Sequence, residues 1–349
     1  MKFRAQFLQL VMTVFSYTIM FLFFAKAASA QNAPKVPPPQ IEDFVDDRFQ
    51  GVTEDWSTPA LRTSHLQPVQ PLVGFVDKKE KYSVELVRVQ WRKADPIDLW
   101  IMKPAHIDKP PVVLYLYGYP SDTDTFRDEK VQEFLARDGV AAVGFVSALT
   151  GQRYHNRPMK QWFLSELQES LSKTAHDMQL IIDYLATRHD FDMDRVGMFA
   201  QLSGASIGIL ASAVDPRIKV LDTFDPWCDW PAWMAQSPFV PKDERPDYVK
   251  PEFLSKSASL EPLDWLPKIQ AKKFRLQQRR FEGETPLASK EKLQAAVPAG
   301  ATVVMYKTHA EFNTAIGPDG DKALDWIKKA VRSLPPPAPN ETVAAGKSN

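Results

Sequence analysis

Cysteine is almost absent from this sequence: Cys228 is the one thiol among 349 residues. A lone cysteine excludes an internal disulfide framework, and no His/Cys grouping has zinc spacing. Free cysteine usually behaves as a small buried hydrophobe. Cys228 has no local nucleophile signature, so a structural place in the core is expected. An excess of charge is lacking too. Lys and Arg number 43, Asp and Glu number 43, and the formal net charge is zero. With no basic stripe, nothing marks a nucleic-acid surface. Neither a phosphate loop nor a dinucleotide fingerprint occurs, and no cofactor is expected. No internal repeat is visible, which leaves ordinary globular architectures.

What is present fits such an architecture. Hydrophobic residues make up 44% and charged residues 25%, an ordinary globular balance. The length suits one large α/β domain with additions, or two small domains. Residues 1–30 read as a signal peptide. Lys2 and Arg4 precede a largely apolar run over 7–24, and Ala28-Ser29-Ala30 offers a small-x-small cleavage site before Gln31. The alternative is an uncleaved anchor, because the apolar run is long. Cleavage predicts a secreted or periplasmic protein without stable membrane insertion. It removes Lys2, Arg4 and Lys26 and no acid, leaving a net charge of −3. Residues 31–45, with Pro34, Pro37, Pro38 and Pro39, read as an extended linker. A domain is expected over 46–334 and a disordered tail over 335–349. The tail holds Asn340-Glu341-Thr342, a weak glycosylation match.

Within the domain, the opening stretch to Lys79 lacks periodicity and is expected to be irregular. Residues 83–92 alternate as a strand, with a phase change at Leu86-Val87 that suggests a bulge. With 97–102 they form a predicted antiparallel hairpin at a sheet edge. Continuous apolar runs over 112–117 and 141–146 read as strands buried on both faces. Helices are predicted over 124–138, 164–188, 286–296 and 319–334, and further strands over 219–224, 273–278 and 302–307. Strands separated by helices imply a parallel sheet, whose functional loops gather at the strands' carboxyl ends. Residues 227–267 break the rhythm and read as an inserted cap. It carries Trp227, Trp230, Trp233 and Trp265, four of the chain's nine tryptophans. Trp227, Trp230, Trp233 and Phe239 either line an apolar substrate pocket or bury the insertion against the core.

The stretch RVGMFAQLSGASIGILASA, from Arg195, has the layout of a nucleophile elbow: apolar strand, small-residue turn, helical stripe. The usual pattern is G-x-S-x-G, and here no serine takes the middle place. Ala200 and Gly204 fit the two small positions and put Leu202 at the tip; a turn slipped by one residue puts Ser203 there instead. Acyl transfer also needs a base, an orienting acid and an oxyanion hole. His309, directly after the last strand, is the candidate base. Glu282, after the strand over 273–278, is the candidate acid, with Asp225 as its rival and Glu284 nearby. The oxyanion donors are expected to be the backbone N–H groups of Tyr119 and of Gly204, the residue after a Ser203 nucleophile. Tyr117 is a candidate pocket aromatic.

The runs VVLYLYGYP from Val112, RVGMFAQLSGASIG from Arg195 and VVMYKTHAEF from Val303 resemble the α/β-hydrolase superfamily over residues 83–334. The flavour is that of secreted esterases and prolyl-oligopeptidase-like catalytic domains. The resemblance implies an α/β-hydrolase fold: a mostly parallel sheet with helices on both faces, antiparallel strands at one edge and a small cap. It also implies hydrolysis of an ester or peptide-type bond in a small molecule or peptide, through a serine acyl-enzyme at Ser203, with His309 and Glu282. The competing reading is a non-catalytic binding protein of the same fold, because leucine at 202 cannot attack a carbonyl.

Overall fold

A computed structural model describes residues 54–61, 70–93, 95–119, 123–149, 153, 166–280, 283–316 and 324–336. They belong to one unit that begins at Asp46. The predicted signal peptide, the linker, most of the 147–162 loop, Glu282 and nearly all of the tail lie outside the described residues.

Among the described residues nine strands form a single sheet in the order β1-β2-β3-β5-β4-β6-β7-β8-β9. The first three are β1 (Leu72–Lys78), β2 (Tyr82–Gln90) and β3 (Pro96–Pro104). They pair antiparallel with one another, and β3 pairs antiparallel with β5 (Ala141–Val146). From there the sheet is parallel through β4 (Pro111–Tyr117), β6 (Asp192–Gln201), β7 (Ile218–Phe224), β8 (Lys273–Arg279) and β9 (Thr302–Tyr306). The predicted edge hairpin is therefore present, and β1 is an addition. The stretch before Lys79, expected to be irregular, holds this strand through its pairing with β2; its residues are exposed on both faces, so no hydrophobic alternation marks it. The phase change in β2 is answered across the ladder. Val73 pairs with Val87 and Phe75 with Leu86, so the extra residue of the irregularity is Gly74 of β1.

β4 and β5 are buried along their whole length, as their unbroken apolar runs require. Alternate residues feed two cores. Val112, Leu114 and Leu116 point to one, and Val113, Tyr115 and Tyr117 to the other. The first core is filled by α2 (Leu167–Arg188) and α3 (Ser203–Val214), with the tryptophans of the insertion. The second is filled by α1 (Glu129–Ala136) and α10 (Asp325–Arg332). The insertion is helical: α4 (Trp230–Gln236), α5 (Arg245–Tyr248), α6 (Pro251–Ala258) and α7 (Pro262–Trp265) precede β8. Then follow α8 (Leu287–Ala295) and, beyond β9, α9 (His309–Ile316). Among the described residues no helix is long and apolar enough to cross a membrane.

The strand order reverses between β4, flanked by β5, and β6, which continues toward β9. Loops that leave the carboxyl ends at such a reversal part and open a crevice. The two loops that do so here are Gly118-Tyr119 after β4 and the turn from β6 into α3.

Candidate active site

The turn from β6 into α3 is the elbow, and Leu202 is its tip. Its φ of 54° and ψ of −126° lie where a residue with a side chain is strained, whereas Ser203 is the first residue of α3. The small positions agree. A Cβ on Gly204 would stand 2.7 Å from the carbonyl oxygen of Leu116. Across the turn, a Cβ on Gly208 would meet the Ala200 methyl at 3.2 Å. A larger residue at 200 or 204 would push helix and strand apart. The Leu202 amide donates to the Phe224 carbonyl at 2.8 Å, and its own carbonyl accepts from Ala205 at 3.0 Å. The unslipped register is therefore the observed one.

This displaces the slipped serine. Ser203 is fully buried, and its Oγ accepts the Tyr119 amide at 2.8 Å. The Gly118 loop presses directly on it, since a Cβ there would lie 2.8 Å from both Ser203 N and Oγ. With Leu202 at the tip, the residue following the tip is Ser203 rather than Gly204. The amides at the two positions where an oxyanion pair is expected are then those of Tyr119 and Ser203.

His309 stands exposed at the head of α9, directly after β9. The expected loop is thus a helix. Its start has a local cause: the Glu311 amide donates to Thr308 Oγ1 at 3.2 Å, and the Glu311 carboxylate accepts the Lys307 amide at 2.6 Å. This Thr-x-x-Glu exchange resembles a capping box, and it was legible in Thr308-His309-Ala310-Glu311. Glu282, the expected acid, lies outside the described residues. Its rival is committed elsewhere. Asp225 accepts the Arg279 amide at 2.8 Å and the Arg279 Nε, and Lys290 Nζ is 3.5 Å away. Arg279 also lies over the Phe224 ring at 5.3 Å and the Phe312 ring at 5.7 Å, tying α9 to the end of β7. Glu284 is 3.9 Å from Arg279, and burial raises its carboxyl above the ordinary range.

The expected pocket aromatics are core residues. Trp227 is fully buried against Trp233, with ring centroids 4.5 Å apart, and its carbonyl accepts Ser206 Oγ of α3 at 2.7 Å. Trp230 is buried with its indole N–H on the Leu260 carbonyl at 3.2 Å. The Glu261 carboxylate accepts the Asp229 and Trp230 amides, both at 2.8 Å. The Trp227 carbonyl thereby ties the insertion to α3, and Trp230 is held within the insertion. Tyr117 stacks on Phe126 at 5.2 Å, inclined by 10°, and burial pushes its phenol up to about 12. Cys228 is buried, as expected, with Sγ 3.5 Å from the Ser289 carbonyl. Around the elbow the half-buried apolar groups are Leu202, Tyr119 and Phe239, the last two edge to face at 6.1 Å. No cluster of three or more potential metal ligands occurs among the described residues.

No protein-family model and no curated protein matches the sequence. Solved structures do match. An acetyl xylan esterase from a Paenibacillus species superposes with a TM-score of 0.57 at 15% identity, over 76% of this chain and 88% of that one. Acetyl xylan esterase 1 from a Thermoanaerobacterium species gives 0.56 at 14%, over 70% and 83%. A cold-adapted esterase from an Arctic intertidal metagenomic library gives 0.52 at 15%, over 73% and 97%. The chain has the α/β-hydrolase fold, the architecture on which these ester hydrolases are built.

Proposed function

We propose that this chain is a non-catalytic protein of the α/β-hydrolase fold, exported by its amino-terminal segment, that binds a small apolar molecule at the elbow. One observation carries the reading: leucine occupies the strained elbow tip while the neighbouring serine is buried and hydrogen-bonded to the Tyr119 amide. An elbow exists to lift a nucleophile above the sheet, and an isobutyl group there offers contact area and no reactivity. Leu202, Tyr119 and Phe239 make that surface apolar, which suits an acyl or aryl group rather than a nucleic acid. The support for export is the sequence of residues 1–30.

A second reading, a serine hydrolase using Ser203 with His309 and Glu282, is favoured by one observation, the place of His309 directly after β9. Turnover separates the two. Purified chain is offered short- and medium-chain p-nitrophenyl esters at neutral pH. The first reading expects no hydrolysis above the buffer rate together with saturable quenching of aromatic fluorescence by the same acyl groups as unreactive amides. Saturating hydrolysis lost in His309→Ala would establish the second.

A further inference from the structure

We propose that the Ser203 hydroxyl is a built-in occupant of the oxyanion position, so that the site is closed at two adjacent residues rather than one. The inference rests on the non-catalytic reading above. Two backbone donors define an oxyanion hole on this fold: the amide after the elbow tip and an amide from the loop after the strand next to the elbow strand. Here they belong to Ser203 and Tyr119. A reacting oxygen would sit about 2.7–3.1 Å from each donor. Ser203 Oγ already lies 2.8 Å from the Tyr119 amide, inside that range. No solvent reaches it, because Ser203 is fully buried. The loop is also seated directly on the elbow. Gly118 abuts Gln201 O and Ser203 N so closely that an added Cβ would lie 2.5 and 2.8 Å from them. The Tyr119 amide is therefore spent inside the protein, and a carbonyl oxygen arriving at the elbow finds one donor where hydrolysis needs two.

It follows that restoring a nucleophile at the tip is insufficient. In Leu202→Ser the introduced hydroxyl can add to an ester carbonyl and pass its proton to His309. The tetrahedral intermediate then expels the alcohol, which takes that proton, and water hydrolyses the acyl-enzyme to the acid and regenerates the hydroxyl. The negative oxygen formed in the first step lacks the Tyr119 donor. Removing one such donor costs about 10²–10³ in turnover. Leu202→Ser with Ser203→Ala vacates the position and returns that donor.

The experiment compares p-nitrophenyl acetate turnover by Leu202→Ser and by the double variant, and follows Tyr119 amide exchange in native chain and in Ser203→Ala. The expected results are a turnover about 10²-fold higher in the double variant and faster exchange of the Tyr119 amide once its acceptor is gone. Equal turnover by the two variants, no turnover by either, or unchanged Tyr119 exchange would each overturn the inference. Failure of the non-catalytic reading is seen separately, as turnover by the unmodified chain, and the two-variant comparison still reports on Ser203.

Discussion

Replacing Leu202 by glycine and, separately, by alanine gives a pair of variants whose order of stability is inverted from the usual one. At an ordinary position alanine is more stable than glycine by about 0.5–1 kcal/mol, because glycine loses more backbone freedom on folding. Leu202 holds φ 54°, ψ −126°, a region that costs a residue with a Cβ about 1–3 kcal/mol. Glycine escapes that cost and alanine does not. Setting strain against entropy leaves glycine ahead by about 1 kcal/mol, or about 2 °C in melting temperature for a chain of this size. Both lose the packing of a half-buried leucine on the core, so that term cancels between them. Urea unfolding of the two variants, read as the midpoint at equal m, measures the difference. An alanine variant as stable as the glycine variant, or more so, would refute the strained elbow and with it the assignment of Leu202 to the tip.

Other perturbations test the frame around the site. Gly118→Ala places a methyl 2.5 Å from a backbone oxygen; a loss of about 1–3 kcal/mol is expected, read by thermal melting. Asp222 is fully buried in a bidentate pair with Arg275, and burial pushes its carboxyl up to about 6. The folded state therefore holds this proton more tightly than the unfolded chain, and this group's contribution to stability falls as pH rises from about 4 to 6. Asp222→Asn should abolish that slope in urea midpoints taken across the window; an unchanged slope would place its origin elsewhere. Arg92 joins Glu54 of the amino-terminal segment to Asp177 of α2, with His176 Nδ1 2.7 Å from Glu54. Burial opposes ionisation of Glu54, but Arg92 and His176 outweigh it and hold the carboxyl below its ordinary 4.5. That contribution is complete above pH 4.5 and is lost as pH falls through the lower folded value. Arg92→Met removes one cation from a buried cluster in which Glu54 keeps His176 and Asp177 keeps Arg153, and should cost about 1–3 kcal/mol, with residues 54–61 the first to exchange amide protons; intact protection there would contradict the clasp.

Much of the fold was legible because its signals are local. Unbroken apolar runs gave β4 and β5, and the alternation in residues 83–92 gave β2, although the extra residue opposite its phase change belongs to β1. What escaped has a physical reason in each case. β1 is exposed throughout and carries no pattern of burial. The helix at His309 is announced only by a capping exchange four residues long. At the elbow, the spacing of Ala200 and Gly204 held the answer, since small residues there are dictated by helix–strand approach. Ser203 lies one residue beyond the tip, and its burial depends on a loop eighty-four residues earlier in the chain, which local spacing does not show. The tryptophans illustrate the limit of composition. In the sequence Trp227 and Trp230 look alike whether they line a pocket or fasten an insertion; in the structure both are buried, and the Trp227 carbonyl is bonded to Ser206 of α3.

Whether the elbow carries a working nucleophile is decided by fluorophosphonate labelling of the purified chain beside Ser203→Ala and His309→Ala. An unlabelled protein is expected, by intact mass, in samples whose cooperative melting shows them folded. Stoichiometric labelling lost in both variants would contradict it, making Ser203 a nucleophile that leaves its buried place at the Tyr119 amide to react.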